Sequence, residues 1–203
     1  MSAHPLFGHH RDAVWDKLSQ EIGGEHLDHK GWRQDKVQAQ VDEWTVTLDL
    51  HAEPGYKAET IYTRFRAPFV NSDNFQFTIC HEGLFANIAQ FFGKNDVQTG
   101  HSEFDEMFLI KSNDEARIKA MFSNPRLREL MKTEPDIHLL IRNSGDWFQD
   151  RYPEGVDELV LEVEGEVGKL VRLRKLFHLF SEVLHTIGHH GSAYDDDPER
   201  CGA

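Results

Sequence analysis

The chain has 203 residues, 39% hydrophobic and 28% charged, which is the make-up of a globular domain able to bury a core without disulfide staples. Lys and Arg number 22 against 35 Asp and Glu, a formal net charge of −13, and that excess argues against nucleic acid or an anionic membrane surface as partner. The two cysteines, Cys80 and Cys201, make neither a disulfide framework nor a CxxC pair for zinc.

Met1 to Phe7 has no basic start, and no stretch approaches the roughly 18 apolar residues of a membrane span, so no secretory signal is expected. With cysteine so scarce, a cytoplasmic setting is expected. Val14, Trp15, Leu18 and Ile22 predict a helix over residues 10–22, stopped by Gly23-Gly24, and residues 25–31 read as a polar linker. The period then changes to two. Val37, Ala39 and Val41 predict one strand; Trp44, Val46, Leu48 and Leu50 predict the next, joined at Asp42-Glu43. Glu53-Pro54-Gly55 is a turn before a strand from Ala58 to Phe69. Asn71 to Asn74 break that strand, and Phe75, Phe77 and Ile79 begin another. Four such strands in a row predict an antiparallel meander.

Leu84, Ile88, Phe91 and Phe92 predict a short helix over residues 83–92. Val97 marks a short strand, and Phe104 to Lys111 reads as another. Ser112 to Glu115 starts a helix carrying Ile118, Met121 and Phe122, which Asn124-Pro125 restarts with Leu127, Leu130 and Met131. Ile137 to Ile141 and Leu159 to Val163 are strands. Leu170, Leu173, Phe177, Phe180, Leu184 and Ile187 step by three and four, which predicts a long helix with one apolar stripe, ended by Gly188. Asp195-Asp196-Asp197-Pro198-Glu199 is an acidic tail expected to be disordered.

The organisation predicted is a helix and linker (residues 1–30), one α+β domain (31–190) and an acidic tail (191–203). Its fold class is α+β: a bent antiparallel sheet of about seven strands closed by the long C-terminal helix, in a pleckstrin-homology-like order with inserted helices. A sandwich with a covering helix is the alternative.

The run from Phe104 to Glu115, leading into the helix with Asn124-Pro125, resembles bacterial domains of unknown function of the DUF3137 type. The Tyr62-Thr63-Arg64-Phe65 strand and the closing helix suit the same pattern, and the likeness covers roughly Trp44 to Ile187. It implies no known activity, cofactor or catalytic residue.

Histidine is abundant, 13 in the chain. Glu182, His185 and His189, spaced i, i+3 and i+7 with His190 beside them, would share a face of a continuing helix and suit zinc or another divalent ion. Gly188 opposes this by ending the helix before His189. His4, His9 and His10 form a second group, and His26 and His29 a third beside Glu25 and Asp28. Cys80-His81-Glu82 lies at a strand end, where neighbours point to opposite faces, so thiol and imidazole do not meet. Glu103, Asp105 and Glu106 with Asp114 and Glu115 are candidate paired carboxylates, though helix starts explain them as well. Ser144-Gly145-Asp146 lacks the G-x-S-x-G elbow, and no G-x-G-x-x-G or Walker A run occurs.

Trp147, Phe148, Arg151 and Tyr152 occupy a long connection between two strands, and residues of these types anchor protein contacts. The function expected is therefore a non-catalytic protein-binding or scaffold module, with another protein or a second copy as partner and no cofactor. The alternative is a metal-binding protein or metal-dependent hydrolase built on the C-terminal histidines.

Overall fold

A computed structural model describes residues 5–28, 34–54, 58–81, 95–134, 136–143, 152–188 and 192–194. Among them nine strands form one antiparallel sheet and five helices accompany it. In chain order these are α1 (Pro5–Ile22), β1 (Glu25–Leu27), β2 (Lys36–Val41), β3 (Trp44–Glu53), β4 (Thr60–Val70), β5 (Phe77–His81), β6 (Asn95–Asp96), α2 (Ser102–Met107), β7 (Phe108–Ser112), α3 (Glu115–Met121), α4 (Pro125–Lys132), β8 (Ile137–Arg142), β9 (Val156–Glu164) and α5 (Leu170–Ile187). The sheet order is β1-β2-β3-β4-β9-β8-β5-β7-β6.

The β2–β3 hairpin follows from its sequence. Val41 pairs with Trp44, leaving Asp42 and Glu43 as a two-residue loop. Asp42 takes φ 50°, a left-handed conformation that a short polar side chain tolerates and a twisted hairpin needs. The turn after β4 is knitted by Asn71, whose Nδ2 donates to the Phe75 carbonyl and to Asp157 Oδ2, while its Oδ1 accepts from Phe75 N–H.

Val37, Ala39, Val46, Leu48, Phe65, Ile79, Leu139 and Leu161 share one face of the sheet, and α5 lies against it. Phe65 meets Phe177 and Phe180 of α5 at ring-centre distances of 6.3 and 6.1 Å. Leu173, Leu176, Leu179, Phe180, Val183, Leu184 and Ile187 form the buried side of α5. Phe177 and Leu170, expected in the core, are only half-buried at its margin.

Several expectations are corrected. The first helix starts at Pro5, not at residue 10, and the supposed linker contains β1, paired to β2. Phe104 to Met107 are helical, because Asp105 accepts hydrogen bonds from Thr99 N–H, Thr99 Oγ1–H and Gly100 N–H and so anchors a helical turn before the strand. The meander ends at β4. Its other neighbour is β9, and β5 lies beyond β8. The sheet has nine strands where about seven were expected. The helix expected over residues 83–92 lies outside the described residues.

Candidate functional site

The outer face of α5 is open. Val171, Lys175, His178, Glu182 and His185, spaced four, three, four and three residues apart, lie along one side of the helix. Val171 is 61% exposed, which is unusual for an aliphatic side chain in the described part of the chain. Beside this face a cavity of about 610 Å³ lies between α5, the end of α1 and the β2–β3 hairpin. Its apolar lining comes from Ile22, Val41 and Phe177, with Lys175, His178 and His185 along the helix side. A second cavity of about 380 Å³ continues past Asp42 and His185 to Trp44 and Gly188.

Glu182 and His185, two members of the expected metal cluster, are on this helix but are drawn apart. Glu182 Oε1 lies 3.1 Å from an Arg126 nitrogen on α4, which also lies 2.7 Å from His178 Nε2. His185 Nε2 lies 2.9 Å from Asp42 Oδ2 on the opposite side, and its ring stands edge-on to Trp44. α5 stops at Gly188, whose extended ψ of 152° turns the chain off the helical path. His189 and His190 lie outside the described residues. Among the described residues no three His, Cys, Asp or Glu side chains are grouped to hold a metal ion.

The other candidates are dispersed too. His26 Nδ1 lies 2.5 Å from Asp16 Oδ1 and its ring packs on Trp15; His29 and the side chains of His4 and His9 are outside the described set. Asp105 serves its own loop, Asp114 caps α3 through Arg117 N–H, Glu115 pairs with Lys119 and Glu103 with Lys132. These carboxylates are held separately by helix starts and surface lysines. Cys80 is buried, and burial pushes its thiol up to about 11, against the opposing Lys111 charge, so it stays protonated and unreactive at neutral pH.

Trp147, Phe148 and Arg151 lie outside the described residues. Tyr152 is described and is buried, which differs from the exposed anchor expected. Its hydroxyl donates to Glu158 Oε1 at 3.1 Å and lies 3.4 Å from Arg66 Nη1.

Tyr152 leads to an assembly that sequence reasoning missed. On the sheet face opposite α5, strand register places Lys36, Asp49, Arg64, Glu162, His138 and Cys80 in one row across six strands. Asp49 accepts from Arg64 Nε at 2.7 Å, Arg64 Nη2 at 2.8 Å and Arg66 Nε at 2.8 Å. Arg66 Nη1 donates to Glu158 Oε1 at 3.2 Å, and Arg142 Nη2 to Glu162 Oε1 at 3.2 Å. His138 Nε2 lies 3.0 Å from Thr78 Oγ1. Alternating polar residues within β3, β4, β8 and β9 were the available sign, but alternation alone reads as a solvated face. Arg64 Nη1 and Glu158 Oε2 are buried without a hydrogen-bond partner among the described residues, at a cost of about 1–3 kcal/mol each. The row is thus a demanding internal network that orients strands, while the α5 groove is open for contact.

No family model matches the chain, and no match was found among curated proteins or among solved structures. The fold and the groove therefore define the chain only as an α+β domain with an open antiparallel sheet and a partly uncovered helix. Among the described residues no helix is long and apolar enough to cross a membrane.

Proposed function

We propose that the chain is a non-catalytic protein-binding module whose contact surface is the outer face of α5 and the groove beside it. The observation that carries this reading is the apolar surface there: Phe177 packs on Phe65 while still lining the groove with Ile22 and Val41, and Val171 is exposed on the helix face beside it. Apolar surface rimmed by charged side chains is characteristic of contact sites. Trp147, Phe148 and Arg151 stay in the proposal as a second contact element; Tyr152 leaves it, since its hydroxyl is used internally. The metal-binding alternative would draw on His189 and His190, since Glu182 and His185 are turned towards different elements, α4 and the β2–β3 hairpin. The position of α5 against one sheet face supports the closing-helix feature of a pleckstrin-homology-like arrangement; the β4–β9 pairing and sheet width do not add to it. The patterning likeness to DUF3137-type domains is compatible with this reading and supplies no activity.

The test is a photo-crosslinking amino acid in place of Lys175 in the full chain, compared with one in place of exposed Gln98 at the far edge of the sheet. The expected result is a discrete protein adduct, with another protein or with the chain itself, from position 175 only. No protein adduct from position 175 would overturn the proposal.

A further inference from the structure

We infer that the partner seated on the outer face of α5, beside the groove, is a second copy of the chain, with the two α5 helices antiparallel about a two-fold axis next to His178. This rests on the protein-binding reading and names its partner. Charge is unevenly distributed along α5. The first half of α5 and its cap carry Lys169, Arg172, Arg174 and Lys175, and the first turn has no acidic residue. Cations at a helix N-terminus oppose the helix's own dipole, so the helix itself gives no reason for them. Arg172 is paired with Glu134 and Arg174 with Glu21, but Lys169 and Lys175 form no ion pair with any described residue.

The other half has the opposite sign. Glu182 lies on the same outer face as Lys175, and the hairpin loop brings Asp42 to His185, with Glu43 next to it along the second cavity. A surface positive at one end and negative at the other repels a copy laid parallel to it. It complements a copy turned by a two-fold rotation. With the axis between His178 and Leu179, Lys175 of one copy lies opposite Glu182 of the other, twice over, and exposed Val171 lies opposite Thr186. The N-terminal cations of each helix then sit over the negative dipole end of the other, where they are favourable. Such a contact is isologous and closes on itself as a dimer. Glu182 is available for it: its present partners, Arg126 and His178, are 61% and 43% exposed in their side chains, and pairs of that kind hold little free energy.

The experiment is sedimentation equilibrium on the full chain and on Lys175→Glu and Glu182→Lys variants, each alone and mixed in equal amounts. The wild-type chain is expected to be dimeric at high micromolar concentration. Each variant alone sets like charges opposite one another twice, and should weaken the dimer by roughly tenfold or more. The mixture sets opposite charges at both contacts and should recover association as a mixed dimer. That recovery cannot come from misfolded chains, so the variants need no separate allowance for folding damage. A wild-type chain that stays monomeric, a dimer indifferent to both substitutions, or a mixture that does not recover would each overturn the inference. If the chain is monomeric while position 175 crosslinks to a different protein, the copy-to-copy inference falls and the binding-module reading stands. If it is monomeric and position 175 crosslinks to nothing, both fall.

Discussion

Asp49 holds two guanidinium groups in the interior of a sheet face. Burial alone would push its carboxyl up, but the charges and hydrogen bonds of Arg64 and Arg66 outweigh burial and hold it well below the usual carboxylate range. Removing that charge leaves two buried cations under-compensated. Asp49→Ala is expected to cost about 3–5 kcal/mol, read as a lower urea midpoint; an unchanged midpoint would mean the arginines find other partners. The contribution of Asp49 is present above the ordinary value of 3.8 and is lost as pH falls through its lower folded value, so it matters only in strong acid. His138 acts at milder pH. Burial holds it neutral, against the favourable charge of Glu162 and with the help of Arg142, so its folded value lies below the ordinary 6.5. Below 6.5 the unfolded chain takes up the proton first, so this stability is complete above 6.5 and declines as pH drops towards the folded value. His51, lowered chiefly by burial and then by Arg64, adds to the same trend. Urea unfolding at neutral pH and at about pH 5 should show a loss that His138→Gln makes smaller. An identical loss in the variant would remove His138 from the account.

At the scale of the element, α5 shows what patterning can and cannot deliver. Its length and its end at Gly188 are local matters, legible from the apolar steps and the glycine. The depth of each side chain is not local. Phe180 is fully buried, whereas Phe177 faces the groove margin, because the helix is rolled so that Leu176, Leu179 and Val183 also point inward. Phe180→Ala should therefore cost about 3–5 kcal/mol and Phe177→Ala distinctly less, by thermal or urea unfolding. Equal losses would mean that the groove is closed over Phe177. Gly188 is needed for space, not for an unusual backbone angle: its φ is −73°, but a Cβ there would lie 2.4 Å from Trp44 Cζ2 and 2.9 Å from the Leu184 carbonyl. Gly188→Ala should lower stability by about 1–3 kcal/mol, as overpacking does. A thermal midpoint equal to wild type would show that Trp44 can move aside. The segment Phe104 to Met107 has the pattern of a strand but is helical for a related reason: what makes it so is the Asp105 contact with Thr99 and Gly100, not its apolar pattern.

Over the whole molecule, the net charge of −13 leaves the basic half of α5 as a local exception on an acidic chain. Duplex DNA is expected not to bind at physiological salt, because too few phosphates would be neutralised. A salt-sensitive mobility shift with untagged protein would contradict this. The sequence by itself determined the α+β class, the β2–β3 hairpin, the start of α3 within Ser112 to Glu115, the restart at Asn124-Pro125, and α5. Each of these depends on residues a few positions apart, through alternation, helical spacing or a capping side chain. Only the tertiary structure decided that β9 lies beside β4, that β5 sits beyond β8, and that Arg66 meets Glu158 across 92 positions. Period-two alternation says which residues lie opposite the core; it does not say whether that second face meets water or becomes an internal ion network. The same limit applied to Glu182 and His185. Their spacing put both on one helix face, but Arg126 and Asp42, brought in by α4 and the hairpin, drew them apart. Pairing partners distant in the chain are chosen by packing the whole sheet, and no local pattern carries that information.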